Sequence, residues 1–191
     1  MSGAVTYKEE YEAYEFINGR EYMMARPSID HIQIGGNIYA QFKNYLRGKR
    51  CRTFNEPDVY INDADHVIPD VVIVCNPAII TKQRIEGVPD LVVEILSRST
   101  ARKDRMEKLL LYERCGVKEY WIVDPRGKSV EVYLLCDGKF ELDDIYYFYT
   151  AEEWSAMDEK ERSEAEAQQK IKVSLYDDFI VDVKDVFEDV D

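Results

Sequence analysis

Histidine is nearly absent from this 191-residue chain: His31 and His66 are its only two, too few for a histidine-rich metal centre. Cysteine is also sparse. Cys51, Cys75, Cys115 and Cys136 lie far apart and form no CxxC pair, so they read as reduced core residues, neither zinc ligands nor staples. A metal in this chain would therefore rest mainly on carboxylates, which select a hard cation, Mg²⁺ or Mn²⁺. No run approaches the ~18 apolar residues of a membrane helix. The opening MSGAVTYKEEYEAYEF lacks the basic-then-apolar order of a signal peptide, so a cytoplasmic protein is expected. Internal repeats and Pro/Gly/Ser linkers are absent too, and one domain over residues 1–191 is the expectation.

What is abundant is negative charge. The net charge is −13, the wrong sign for a protein that grips phosphate, but it is unevenly spread. Residues 141–191 hold 17 acids and 5 bases, whereas residues 1–140 hold 21 acids and 20 bases. That nearly neutral part carries two basic clusters. One is Lys43, Arg47, Lys49, Arg50 and Arg52; the other is Arg98, Arg102, Lys103, Arg105 and Lys108. Each is either a solvated face or a nucleic-acid contact, and Arg98, Arg102 and Arg105 are the candidates for the latter. The acidic end argues against indiscriminate DNA binding.

Periodicity gives the elements. A short helix is expected over Tyr7–Phe16, then an Asn18-Gly19 turn into a strand near Glu21–Ala25. Ser28 can cap a long helix from Ile29 to Leu46, with Ile34, Ile38, Phe42 and Tyr45 on one stripe and Gly35-Gly36 marking a close approach. Arg52–Phe54 and Val59–Ile61 are candidate strands. Asp70–Cys75 and Leu91–Leu96 are near-continuous β-branched runs, the pattern of strands covered on both faces. A helix capped by Ser99 or Thr100 follows to Cys115, and Gly116 ends it. Then come strands at Tyr120–Asp124, Val130–Cys136 and Phe140–Tyr149, a charged helical insertion at about 152–169, and Ile171–Val173 and Phe179–Phe187. The expected fold class is α/β, one mixed central β-sheet flanked by helices.

Each of the two strong strands carries an isolated acid: Asp70 opens the first, and Glu94 sits inside the second. A carboxylate in an apolar strand is costly unless paired, protonated or bound to a cation. If the strands are neighbours, Asp70 and Glu94 could converge on one metal ion, helped by the Ile95 carbonyl; a buried ion pair to a nearby arginine is the alternative. Lys108 can lean back over the strand ends and orient a nucleophile, or simply pair with Asp104 four residues earlier. Asp90 either assists at the strand entrance or ends a turn after Pro89. By helical rotation Lys103 faces away from Lys108.

The strings IPDVVIV, GVPDLVVEILSRSTARKDRMEKLLLYERCGVKEYWIVDP and VEVYLL, with NGREYMMARPSIDH before them, resemble the Uma-type restriction endonuclease family of the PD-(D/E)XK superfamily. The resemblance covers most of the chain apart from the charged helix around Glu152–Gln169. It implies a restriction-endonuclease-like fold and a Mg²⁺-dependent endonuclease acting on DNA as a homodimer. Asp70 and Glu94 correspond to the two metal-binding acids. Leu96 stands where the superfamily lysine is expected, which implies a migrated lysine, Lys108, with Lys103 as the weaker candidate. His31 matches a histidine that the family carries. The departure at Leu96 keeps open an alternative from another class, a catalytically silent binding or assembly module.

Overall fold

The computed structural model describes residues 13–190. Strands β1 (Tyr14–Ile17) and β2 (Arg20–Met23) form the first hairpin. Its turn is Asn18-Gly19, both at positive φ (54° and 71°), the backbone a two-residue hairpin demands. The helix expected through Phe16 is thus replaced by a strand from Tyr14 onward; residues 7–12 of that expectation lie outside the described residues. Helix α1 (Ile29–Tyr45) starts where the sequence signals it, with the Ser28 side chain accepting from the His31 N–H. Gly35 sits against the Ile95 side chain, where an added Cβ would find Cδ1 at 3.5 Å, while Gly36 meets nothing within 4 Å. Neither glycine therefore marks the expected close approach: a Cβ at Gly35 would make only ordinary van der Waals contact.

Next come β3 (Arg52–Asn55), β4 (Val59–Asn62), β5 (Asp65–Val67), β6 (Val71–Val74), β7 (Ile85–Glu86) and β8 (Leu91–Ile95). Helix α2 (Ala101–Lys103) passes through a π-helical turn (Asp104–Lys108) into α3 (Leu109–Cys115). Gly116, at φ 84°, closes α3 by donating to the Glu113 and Tyr112 carbonyls. Strands β9 (Glu119–Asp124), β10 (Ser129–Cys136) and β11 (Lys139–Tyr147) follow. The charged insertion is two short capped helices, α4 (Ala151–Ala156) and α5 (Glu159–Ala167). Strands β12 (Lys170–Lys172) and β13 (Ile180–Asp182) and helix α6 (Val183–Val186) end the chain.

The central mixed sheet has the order β11-β10-β9-β8-β6-β3. Strand β8 runs parallel to β9 through the intervening helix and antiparallel to β6. A second sheet, β2-β1-β5-β4-β7, and the β12-β13 hairpin accompany it. Side chains alternate across each strand, so the two faces of β6 and β8 enter different cores. Val71, Ile73, Leu91, Val93 and Ile95 pack with α1 and the C-terminal segment. Val72, Val74, Val92 and Leu96 pack with Leu111, Tyr112 and the second sheet. Each such apolar side chain contributes roughly 1.5–3 kcal/mol on burial, and Glu94 lies among them on the second face.

Cys51 and Cys75 form a disulfide, contrary to the expectation of four reduced thiols. They are 24 residues apart in sequence, but the β3–β6 register, with Arg52 opposite Val74, brings the residues flanking those strand ends together. Cys115 and Cys136 are free.

Candidate active site

The ladder between β6 and β8 pairs Val71 with Val93, so Asp70 and Glu94 lie one step beyond it, side by side at the end of the two strands. Asp70 is fixed from both sides. Its Oδ2 accepts from the Ile95 backbone N–H at 2.6 Å, and its Oδ1 accepts from His31 Nε2 at 2.7 Å. Burial lowers the His31 pKa, but the Asp70 hydrogen bond and charge outweigh it and raise it. A histidine on the first turns of α1 thereby orients a carboxylate 39 residues away in sequence.

Glu94 is 4% exposed. Its Oε1 accepts from Lys108 Nζ at 2.8 Å and from the Tyr112 hydroxyl at 2.7 Å, while its Oε2 accepts nothing among the described residues. Burial raises the Glu94 carboxyl well above its usual value; Lys108 opposes this, and Asp104, Asp70 and Glu15 add to it. Lys108 is itself only 2% exposed. Burial disfavours its charge, yet Glu15, Glu94 and Asp104 surround it and keep the ammonium protonated. The arginine pairing of Glu94 entertained above is replaced by this lysine, and the Asp104–Lys108 pair is buried, at 3.9 Å, not on the surface.

Glu15, on β1, was invisible to sequence reasoning. It is fully buried, and its Oε1 lies 2.6 Å from Lys108 Nζ while its Oε2 lies 2.5 Å from Lys103 Nζ. Burial alone would raise its pKa; the charges of Lys108 and Lys103 overcome that and hold it at about 2. Lys103 therefore does not face away. Residues five apart lie about 140° apart in an α-helix, but the π-helical turn brings the two lysines to one carboxylate. Two acids flanked by one lysine could be read from strand patterns; an acid from a hairpin in a separate sheet could not.

These groups line a cleft of about 490 Å³ that includes Glu15, His31, Asp70, Glu94, Ile95, Lys103, Asp104, Arg105 and Lys108. Arg98 lines it as well, joined by Arg26 and Arg126, and none of these three arginines has an acidic partner among the described residues. Arg105 is committed to Glu131 at 2.6 Å and Asp124 at 3.8 Å. Arg102 is not among the lining residues. Asp90 is not either: it precedes β8 at the opposite end from Glu94, accepting from the Cys75 N–H and pairing with Lys118 at 2.7 Å. It is a turn and strand-end residue.

The donor set suits a hard divalent cation. Glu15, Asp70, Glu94 and Asp104 face Lys103 and Lys108, an excess of acid, and buried Asp104 Oδ1 has no hydrogen-bond partner. No group of three His, Cys, Asp or Glu side chains converges on one point among the described residues. A bound ion would thus draw on Asp70, Glu94, a backbone carbonyl and non-protein oxygens, as magnesium commonly does.

Residues 5–160 match the family model Uma2, described as "Putative restriction endonuclease". The chain belongs to the Uma2 family. An uncharacterized protein of Synechocystis sp. is 30% identical over 130 residues, spanning 66% of this chain and 68% of that one. A crystal structure from Anabaena variabilis, described as "a putative nuclease belonging to DUF820", superposes with a TM-score of 0.69 at 19% identity, covering 96% of this chain and 94% of the other. That likeness establishes the fold: a restriction-endonuclease-like mixed sheet flanked by helices. Among the described residues of this Uma2-family chain, no helix is long and apolar enough to cross a membrane.

Proposed function

We propose that this chain is a Mg²⁺- or Mn²⁺-dependent endonuclease that hydrolyses DNA phosphodiester bonds. The observation that carries the reading is the Glu94–Lys108 contact beside a clamped Asp70, in a cleft lined also by Arg26, Arg98 and Arg126, which have no acidic partner among the described residues. Leu96 occupies the usual lysine position, and Lys108 brings an ammonium to the same acid from the following helix. Asp70 and Glu94 would hold the cation, with the Ile95 carbonyl as the backbone candidate. When bound, such an ion lowers the pKa of water and offsets charge on the phosphate.

The chain's own residues supply the rest. Lys108 has three donors; two are taken by Glu15 and Glu94, and the third is left to orient a nucleophile or meet a phosphate oxygen. His31 keeps Asp70 in one orientation. Arg98, with Arg26 and Arg126, would hold the flanking backbone. A homodimer would present two such clefts to the two strands, and sedimentation equilibrium at assay concentration tests that state.

The deciding experiment is cleavage of supercoiled plasmid by purified protein with Mg²⁺, Mn²⁺ or chelator. Metal-dependent nicking that disappears in Asp70→Ala and Glu94→Ala, with both variants folded, is expected. Retained cleavage in either variant refutes the assignment. One observation favours the second reading, a silent binding module: both Asp70 oxygens and Glu94 Oε1 already accept hydrogen bonds, and no three metal-ligating side chains converge among the described residues. Calorimetric titration separates the two, because metal binding lost in Glu94→Gln contradicts the silent module.

A further inference from the structure

We propose that Glu15 is a positioning residue that ties Lys108 and the Asp70 segment into one working geometry. The proposal rests on the nuclease reading above for its catalytic consequence, but its structural claim stands on Glu15 alone. Three elements meet on this carboxylate. Oε1 lies 2.6 Å from Lys108 Nζ and also accepts from the Ile68 N–H at 3.2 Å, two residues before Asp70. Oε2 accepts from Lys103 Nζ at 2.5 Å. A single buried side chain on β1 thus fixes the lysine that touches Glu94 and the strand entrance that presents Asp70.

The π-helical turn over Asp104–Lys108 makes this possible. Its i→i+5 bonding spans one residue more than the i→i+4 bonding of an α-helix, so Lys103 and Lys108, five residues apart, reach the same carboxylate. π-Turns of this kind concentrate at functional sites because they trade helical regularity for side-chain placement. A purely structural carboxylate at this position would need only one cation to offset its burial. Engaging two lysines and a backbone N–H uses its acceptor capacity to orient them. An amide in its place has one acceptor end and one donor end, and a donor facing an ammonium is repulsive, so glutamine can serve one lysine but not both.

The test compares wild type, Glu15→Gln, Lys108→Met and the double variant by two readouts. The first needs neither metal nor DNA. Acetic anhydride labelling of the metal-free protein, read by peptide mass spectrometry, reports how shielded each lysine amine is. Lys108 should be among the slowest to react in wild type and several-fold faster in Glu15→Gln, with exposed Lys139 unchanged. The second is plasmid cleavage with kcat and KM separated. Glu15→Gln should lower kcat by roughly 10²-fold, the scale of an ångström-sized misplacement, with KM changed far less. In the Lys108→Met background the same substitution should lower the residual rate no further. The double variant removes one charge of each sign, so its comparison with Lys108→Met can be read even if Glu15→Gln alone folds poorly. Lys108 equally shielded in both proteins, or an undiminished effect of Glu15→Gln in the Lys108→Met background, overturns the proposal. If wild type fails to cleave DNA, the nuclease reading falls, and the labelling result still decides whether Glu15 positions Lys108.

Discussion

Replacing Lys108 by methionine keeps the volume of the buried stem and deletes its charge, and the structure sets a ceiling on the damage. Glu15 keeps Lys103 at 2.5 Å and stays ionised. Glu94 keeps only the Tyr112 hydroxyl. Lys108 opposes the burial-driven rise of the Glu94 carboxyl, which lies well above its usual value even so; deleting Lys108 raises it further and neutralises whatever part of it the parent keeps ionised, so the full cost of neutralisation is the ceiling. Neutralising a carboxyl of ordinary pKa 4.5 at pH 7 costs about 3 kcal/mol, at 1.36 kcal/mol per pH unit. That lies at the low edge of the ~3–5 kcal/mol typical of breaking a buried ion pair, because protonation offers a cheaper route than a bare buried charge. At pH 5.5 the same step costs about 1.4 kcal/mol. The sign follows from linkage. With the folded pKa above the unfolded value, the folded state binds more protons between the two, so stability falls as pH rises through that window and is regained below the unfolded pKa. Urea unfolding of parent and variant across pH 5–8 measures this. With an m-value of ~3 kcal/mol/M, the variant's midpoint should lie up to about 1 M below the parent's at pH 7 and closer to it at pH 5.5. Adding Glu94→Gln should abolish the pH dependence of the difference. A variant no less stable than the parent at pH 7, or a penalty that grows as pH falls, refutes the ion-pair account of this site.

Two further outcomes are expected. The Cys51–Cys75 bond closes a segment of 24 residues, so its reduction, or Cys75→Ser, should lower stability by about 3 kcal/mol on the loop-entropy model; an unchanged urea midpoint under reductant would show that the bond contributes nothing. Arg98→Ala should reduce the salt slope of DNA binding by about 0.9, one phosphate's worth, whereas Arg105→Ala should leave it unchanged because that guanidinium is held by Glu131. Filter binding across a salt series distinguishes the two, and equal slopes for both variants contradict the assignment of Arg98 to phosphate.

The parts of the fold legible in the sequence were those whose signal is local. Ser28 announced α1, the runs at 71–74 and 91–95 announced two covered strands, and Gly116 announced the end of α3. Asp70 and Glu94 stood out because an acid inside an apolar run needs an explanation. What stayed hidden depends on register between distant segments. Glu15 sits in a tyrosine- and acid-rich stretch with nothing to mark it as fully buried, and its meaning appears only when Lys103 and Lys108 arrive 88 or more residues later. Cys51 and Cys75 gave no spacing motif, because their partnership is dictated by strand pairing. The π-helical turn left no compositional trace in DRMEK, so Lys103 was placed by α-helical rotation and misplaced.

The C-terminal segment reaches back to the first helix. Asn37 donates to the Val186 and Glu188 carbonyls, Gln41 accepts from the Asp182 N–H, and Tyr45 stacks on Phe179. These bonds join residues 141–151 positions apart, and contacts of such long range form slowly. During synthesis α1 can pack on β6 and β8 first, and it gains these C-terminal contacts only once residues 179–188 have left the ribosome.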